Sequence, residues 1–142
     1  MKRKLLYLLP FLLAVGTGCL KSDYKPVVLP SGTFSGKFGY LHRANDRLNF
    51  DTLLANVTLT LQSSNSTFTV TGDTTTLQAG SFGTYNLNTN IIEFADKTYS
   101  ATGTSAKKHL NGTYAYAYDG SRLNLLYNIS DTISMQYQLI KN

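Results

Sequence analysis

From Ser31 to the end of the chain, apolar and polar residues alternate one by one, and this period of two governs what the chain can fold into. Phe34, Gly36, Phe38 and Tyr40 are interleaved with Thr33, Ser35, Lys37 and Gly39. Val57, Leu59 and Leu61 alternate with Thr58, Thr60 and Gln62, and Phe68 and Val70 sit between Thr67, Thr69 and Thr71. Shorter runs follow at 82–87 and 91–94, then 112–118, 122–127 and 132–140. Successive side chains of a strand point to opposite faces, so strict alternation marks antiparallel strands with one face buried and one wet. Turn-forming clusters punctuate these runs at Ser63-Ser64-Asn65, Asn88-Thr89-Asn90 and Asp119-Gly120. Such clusters between adjacent apolar runs are hairpin signals. The expected fold is all-β: an antiparallel eight-stranded meander that closes, or nearly closes, into a barrel over residues 31–142. Helix signals are weak, and Asp51-Thr52-Leu53-Leu54 is expected to form a single helical turn. Two polar stretches, 43–50 and 96–109, read as loops, the second as a mobile one.

The first thirty residues have a different character. Met1-Lys2-Arg3-Lys4 is a positive start, an apolar run extends from Leu5 to Val15, and Gly16-Thr17-Gly18 precede Cys19. That is the layout of a secretory signal peptide, expected to be cleaved after residue 18. The apolar run is shorter than the roughly 20 residues needed to span a bilayer. Cys19 is the sole cysteine, so no intrachain disulfide can form. Small residues followed by this cysteine resemble the lipobox of bacterial lipoproteins. The resemblance implies lipidation at Cys19 and anchoring in a membrane of the cell envelope, expected to be the outer one, periplasmic or surface-facing. Ordinary cleavage leaving a free thiol is the alternative. Residues 19–30, with Pro26 and Pro30, read as the lipidated cysteine and an extended tether.

Removing Lys2, Arg3 and Lys4 leaves ten basic against eight acidic residues of the original thirteen and eight, a net charge of +2 in place of +5. The basic residues form no runs, so nucleic acid is not an expected partner.

The barrel domain resembles the lipocalin-like lipoproteins of Bacteroidota. The resemblance rests on the opening Gly32-Thr33-Phe34, the closing Leu139-Ile140-Lys141, the signal and the tether. Phe34 stands where lipocalins carry Trp, and this chain has none. The resemblance implies a barrel that holds a small apolar or amphipathic ligand. The candidate lining is Phe34, Phe38, Tyr40, Tyr114, Tyr116, Tyr118 and Tyr137. The same aromatic residues can equally fill the interior, because an eight-stranded barrel is just wide enough for its own side chains or one small ligand. The chain is then an interaction protein that docks an envelope partner through its outer face or loops. An interior cavity of a few hundred Å³ separates the two readings.

No constellation argues for catalysis, and the chain reads as a non-enzyme. Glu93 is the sole glutamate, His42 and His109 are far apart and read as surface residues, and no Gly-x-Ser-x-Gly turn is present. Neither a metal nor any other cofactor is expected. Three Asp-Thr triplets, at Thr52, Thr74 and Thr132, resemble acceptors for O-glycosylation in exported Bacteroidota proteins.

Overall fold

The computed structural model describes residues 28–43, 49–102 and 106–142. The signal segment 1–18, Cys19 and the tether up to residue 27 lie outside the described residues, as do parts of the two polar loops. Eight strands succeed one another: β1 (Gly32–Arg43), β2 (Phe50–Gln62), β3 (Thr67–Gly72), β4 (Ser81–Leu87), β5 (Ile91–Asp96), β6 (Gly112–Tyr118), β7 (Arg122–Ser130) and β8 (Ile133–Lys141). Each pairs antiparallel with the next, and β8 returns to β1 to close the barrel. The eight-stranded antiparallel barrel expected from the alternation is therefore present.

The register explains why the sequence period works. Phe34 lies opposite Leu59 and Phe38 opposite Ala55, while Phe38 on its other side meets Tyr137. The even-numbered residues of β1 thus share the interior with the odd-numbered residues of β2 and β8. A one-residue slip would turn each of these sets outward, so burial of one face fixes the register.

Two inward glycines let the wall bend. A Cβ on Gly36 would overlap the carbonyl oxygen of Gln138, and one on Gly83 would overlap that of Ala95. Strands approach too closely there for any side chain, which is the role of glycine at barrel corners.

The expected helical turn at Asp51–Leu54 is absent. These residues are the start of β2, with Asp51 opposite His42 and Leu53 opposite Tyr40. An isolated turn of helix satisfies few backbone groups, whereas this segment completes a ladder begun by β1. Cross-strand pairing overrides the local reading.

In an up-and-down meander all odd connections fall at one end and all even ones at the other. The entry end carries Pro30, the tight turns after β2, β4 and β6, and the C-terminus. The far end carries the longer connections after β3 and β5. Those two connections zip together there: Ala79 N–H donates to the carbonyl of Lys108, and Lys108 N–H donates to that of Leu77, each at 2.8 Å. They place Gln78 and Leu110, both fully buried, across the far mouth.

Gly83→Ala is expected to destabilise the barrel by about 2–4 kcal/mol, because main-chain atoms of β5 must move to admit the methyl group. Urea unfolding of the wild type and the variant measures this, with Gly80→Ala as the control, where an added methyl group meets its neighbours at ordinary contact distance, 3.5 Å or more.

Candidate functional site

The barrel interior is the first place to look for a ligand, and side chains occupy it. Phe34, Phe38, Tyr114 and Tyr137 are fully buried. Phe38 and Tyr137 stack at 4.8 Å between ring centroids, Phe94 meets Tyr114 edge-on at 5.7 Å, and Tyr114 meets Tyr137 at 5.9 Å. Phe68 and Phe94 continue the chain of contacts at 5.0 Å. These separations are those of rings in direct contact.

The other three tyrosines of the candidate set sit at the ends. Tyr116 and Tyr118 are half-buried, and their hydroxyls donate to the carbonyls of Asn88 at 2.9 Å and Gly120 at 2.7 Å. They close the entry end over its turns. Tyr40 lies towards the far end, with the Lys108 ammonium 4.6 Å from its ring centroid. The alternating Tyr114, Tyr116 and Tyr118 thus form an inner wall, one tyrosine at the core and two at the rim.

One polar node interrupts the aromatic core. The Tyr137 hydroxyl donates to Oε1 of Gln78 at 3.0 Å, and Gln78 Nε2 donates to the carbonyl of Ala79 at 3.3 Å. The Tyr114 hydroxyl faces that of Tyr137 without a well-formed hydrogen bond. Burial pushes both phenols well above their ordinary value, because the core disfavours a phenolate. Gln78 was not a sequence candidate. It sits in a non-periodic connection, and no local pattern announces that a connection will fold inward.

A second node ties the far-end loop. His109 Nδ1 lies 2.8 Å from Oδ2 of Asp96, whose side chain is wholly buried. Thr98 donates its N–H and its hydroxyl to the other carboxylate oxygen, both at 2.7 Å. Tyr99 packs edge-on against the imidazole at 5.6 Å. His109 is therefore a partner for a buried carboxylate rather than a surface histidine, since a buried charge demands such partners. The 96–109 connection, expected to be mobile, has its two ends clasped by this pair. His42 is exposed, as expected. Among the described residues no group of three His, Cys, Asp or Glu residues is placed to hold a metal ion.

Hollows of ligand size open on the outside of the wall. One of about 370 Å³ lies over β6–β8, floored by Ala115 and Ala117 and flanked by Asn124, Gln136 and Gln138. Another of about 340 Å³ lies over β1 and β2 near Gly72. A third, of about 360 Å³, lies at the entry rim beside Leu29, Pro30 and Ser31. The outer surface is also divided by chemistry. Over β1–β3 it is a field of hydroxyls, with Thr33 and Thr60 at 3.2 Å and Ser35 and Thr58 at 3.2 Å. Elsewhere it exposes Ile91, Leu126 and Ile140, and the start of β2 exposes Leu54. Glu93 faces outward on β5. Of the three threonines in Asp-Thr triplets, Thr52 is exposed on β2, Thr132 is exposed in the turn before β8, and Thr74 is half-buried after β3.

The chain matches no protein-family model, no curated protein and no solved structure.

The raised phenols give stability a direction with pH. Tyr114 and Tyr137 stay protonated in the fold, whereas in the unfolded chain they ionise near pH 10. Their contribution is complete below that pH and is lost as pH rises towards the folded values. Each phenol removes up to about 1.4 kcal/mol per pH unit above pH ~10. Urea midpoints taken from pH ~8 to ~11.5 are expected to hold level and then fall. A level midpoint throughout contradicts the assignment.

Proposed function

We propose that the chain is a non-enzymatic envelope lipoprotein, anchored through Cys19, whose filled barrel docks a protein partner through its outer surface. The observation that carries this reading is that inward rings touch with other strands between them: Phe34 of β1 meets Tyr118 of β6 at 5.8 Å, Tyr114 of β6 meets Tyr137 of β8 at 5.9 Å, and Phe68 of β3 meets Phe94 of β5 at 5.0 Å between centroids. An apolar ligand on the axis needs the volume these rings occupy. The ligand-sized hollows on the outside, and the large apolar side chains exposed there, support contact from without. The far-end cap built on Gln78 and Leu110 supports the same reading, since it lies across one route into a barrel.

The anchor rests on the sequence. A signal layout ending in small residues before a single cysteine supports lipidation, and two or three acyl chains on one residue hold a protein on a membrane far better than one. An anchor at Cys19 joins the barrel at its entry end, where Pro30 leads into β1.

Two variants test the two halves of the proposal. Phe38→Ala is expected to cost about 3–5 kcal/mol in urea unfolding, as truncating a packed aromatic does. A residue lining a ligand space loses little on truncation, so a cost below about 1 kcal/mol overturns the filled-barrel reading. Cys19→Ala is expected to abolish labelling by radioactive fatty acid and to move the protein from the membrane to the soluble fraction. Persistent labelling overturns the anchor.

A further inference from the structure

The barrel is closed, yet one strand outruns its neighbour. β2 pairs with β1 along its whole length, from Phe50 opposite Arg43 to Leu61 opposite Gly32. Its pairing with β3 begins only at Val57, opposite Gly72. Among the described residues no strand pairs with the β3-facing side of Phe50–Ala55. These residues form a sheet edge that projects at the far end.

The polarity of that edge follows from one bond. Asp73 N–H donates to the carbonyl of Asn56 at 2.7 Å, so Asn56 turns its main-chain groups towards β3. In a strand these groups alternate sides, one residue to the next. Phe50, Thr52 and Leu54 therefore direct their N–H and C=O groups to the open side, while Asp51, Leu53 and Ala55 bond to β1. Phe50, Leu53 and Leu54 are about half exposed or more, at 50 %, 57 % and 61 %.

Natural sheets guard such edges with lysine, proline or a bulge. The overhang of β7 beyond Leu126 carries one, a register shift between Asn128 and Ser130. Phe50-Asp51-Thr52-Leu53-Leu54-Ala55 has no proline, no lysine and one charge. An apolar edge guarded only by the single charge of Asp51 is a template for strand pairing.

We infer that this edge is an interaction surface for a second copy of the chain, pairing β2 with β2 antiparallel about a two-fold axis at Thr52. The register is self-complementary. With Thr52 opposite Thr52 of the other copy, Phe50 meets Leu54 and Leu54 meets Phe50, and the main-chain groups of all three face their counterparts. Asp51 falls opposite Leu53, so no like charges stand directly across, an arrangement that would otherwise cost stability. The five residues from Phe50 to Leu54 fill the span that β3 leaves open. This contact names a partner for the docking surface proposed above, but it does not depend on the lipid anchor.

Two consequences follow from the geometry. The interface is small, well short of the roughly 1,200 Å² of a stable pair, so association is weak and exchanging. A two-fold axis normal to the sheet also reverses the barrel axis. The two entry ends then point away from each other and the far ends overlap.

Thiol trapping of the full-length protein in detergent reads this directly. In a hydrogen-bonded antiparallel pair the Cα atoms are about 5.5 Å apart, within disulfide range. Thr52→Cys, placed in a Cys19→Ala background, is expected to form a disulfide dimer of twice the chain mass under mild oxidation. Thr71→Cys, exposed on the neighbouring strand, is expected to stay monomeric. Thr52→Pro keeps every bond to β1, because the Thr52 N–H faces the open side. In the same Cys19→Ala background it is expected to retain the circular dichroism of the Cys19→Ala protein and to lose the concentration-dependent rise in sedimentation coefficient that the Cys19→Ala protein shows. A monomeric Thr52→Cys variant with native circular dichroism overturns the proposal. So does equal trapping at Thr71→Cys, or a crosslink to a protein of another mass. Since each readout is taken without the acyl chains, failure here is separate from failure of the anchor.

Discussion

Closing eight strands into one ring fixes the width of the space inside, and the rest of this molecule answers to that width. A ring of this size admits one layer of large side chains meeting across the axis. Phe34 against Tyr118 and Tyr114 against Tyr137 meet over intervening strands, while Phe38 beside Tyr137 and Phe94 beside Tyr114 pack along the wall, so each ring is supported by others. The bends at Gly36 and Gly83 follow from the same closure, since the wall turns most tightly where a side chain is absent. So does the fate of the long connections. With the middle of the barrel filled by rings, Gln78 and Leu110 fold in over the far mouth, and the Tyr137 hydroxyl finds its acceptor there.

The strands were legible because their signal is local and periodic. Val57, Leu59 and Leu61 against Thr58, Thr60 and Gln62 need no partner to be read, and the register then follows from burying one face. Asp51–Leu54 was misread for the complementary reason. Its residues are exposed on both sides, so period two has nothing to mark, and the partner that makes the segment a strand lies across a loop in β1. The functional residues divide in the same way. Phe34, Phe38, Tyr114 and Tyr137 were visible as aromatic positions on alternating strands, but whether they line a space or fill it depends on facing strands distant in sequence. Gln78, Asp96 and His109 belong to connections without a period. Their meeting, a buried carboxylate with an imidazole 2.8 Å away, is decided by how two loops cross the far mouth.

With the interior given to stability, recognition falls to the outside, and the outside is not uniform. Hydroxyls cover β1–β3, in cross-strand pairs that satisfy one another. Small and amide side chains floor the hollow over β6–β8. The projecting end of β2 adds a third kind of surface, one that offers main-chain groups as well as Phe50, Leu53 and Leu54. Under the proposed anchor the barrel has a polarity to match. Its tight turns lie at the end that carries the tether, and its longer connections and open edge lie at the other.

The claim on which this account turns is that the barrel is full. Native mass spectrometry of the intact protein, purified from the cells that make it, tests it most directly. The account predicts the mass of the polypeptide with its covalent modifications and nothing more, unchanged across preparations. A reproducible small-molecule adduct that disappears when Phe38 or Tyr137 is truncated in a variant that still folds would contradict it.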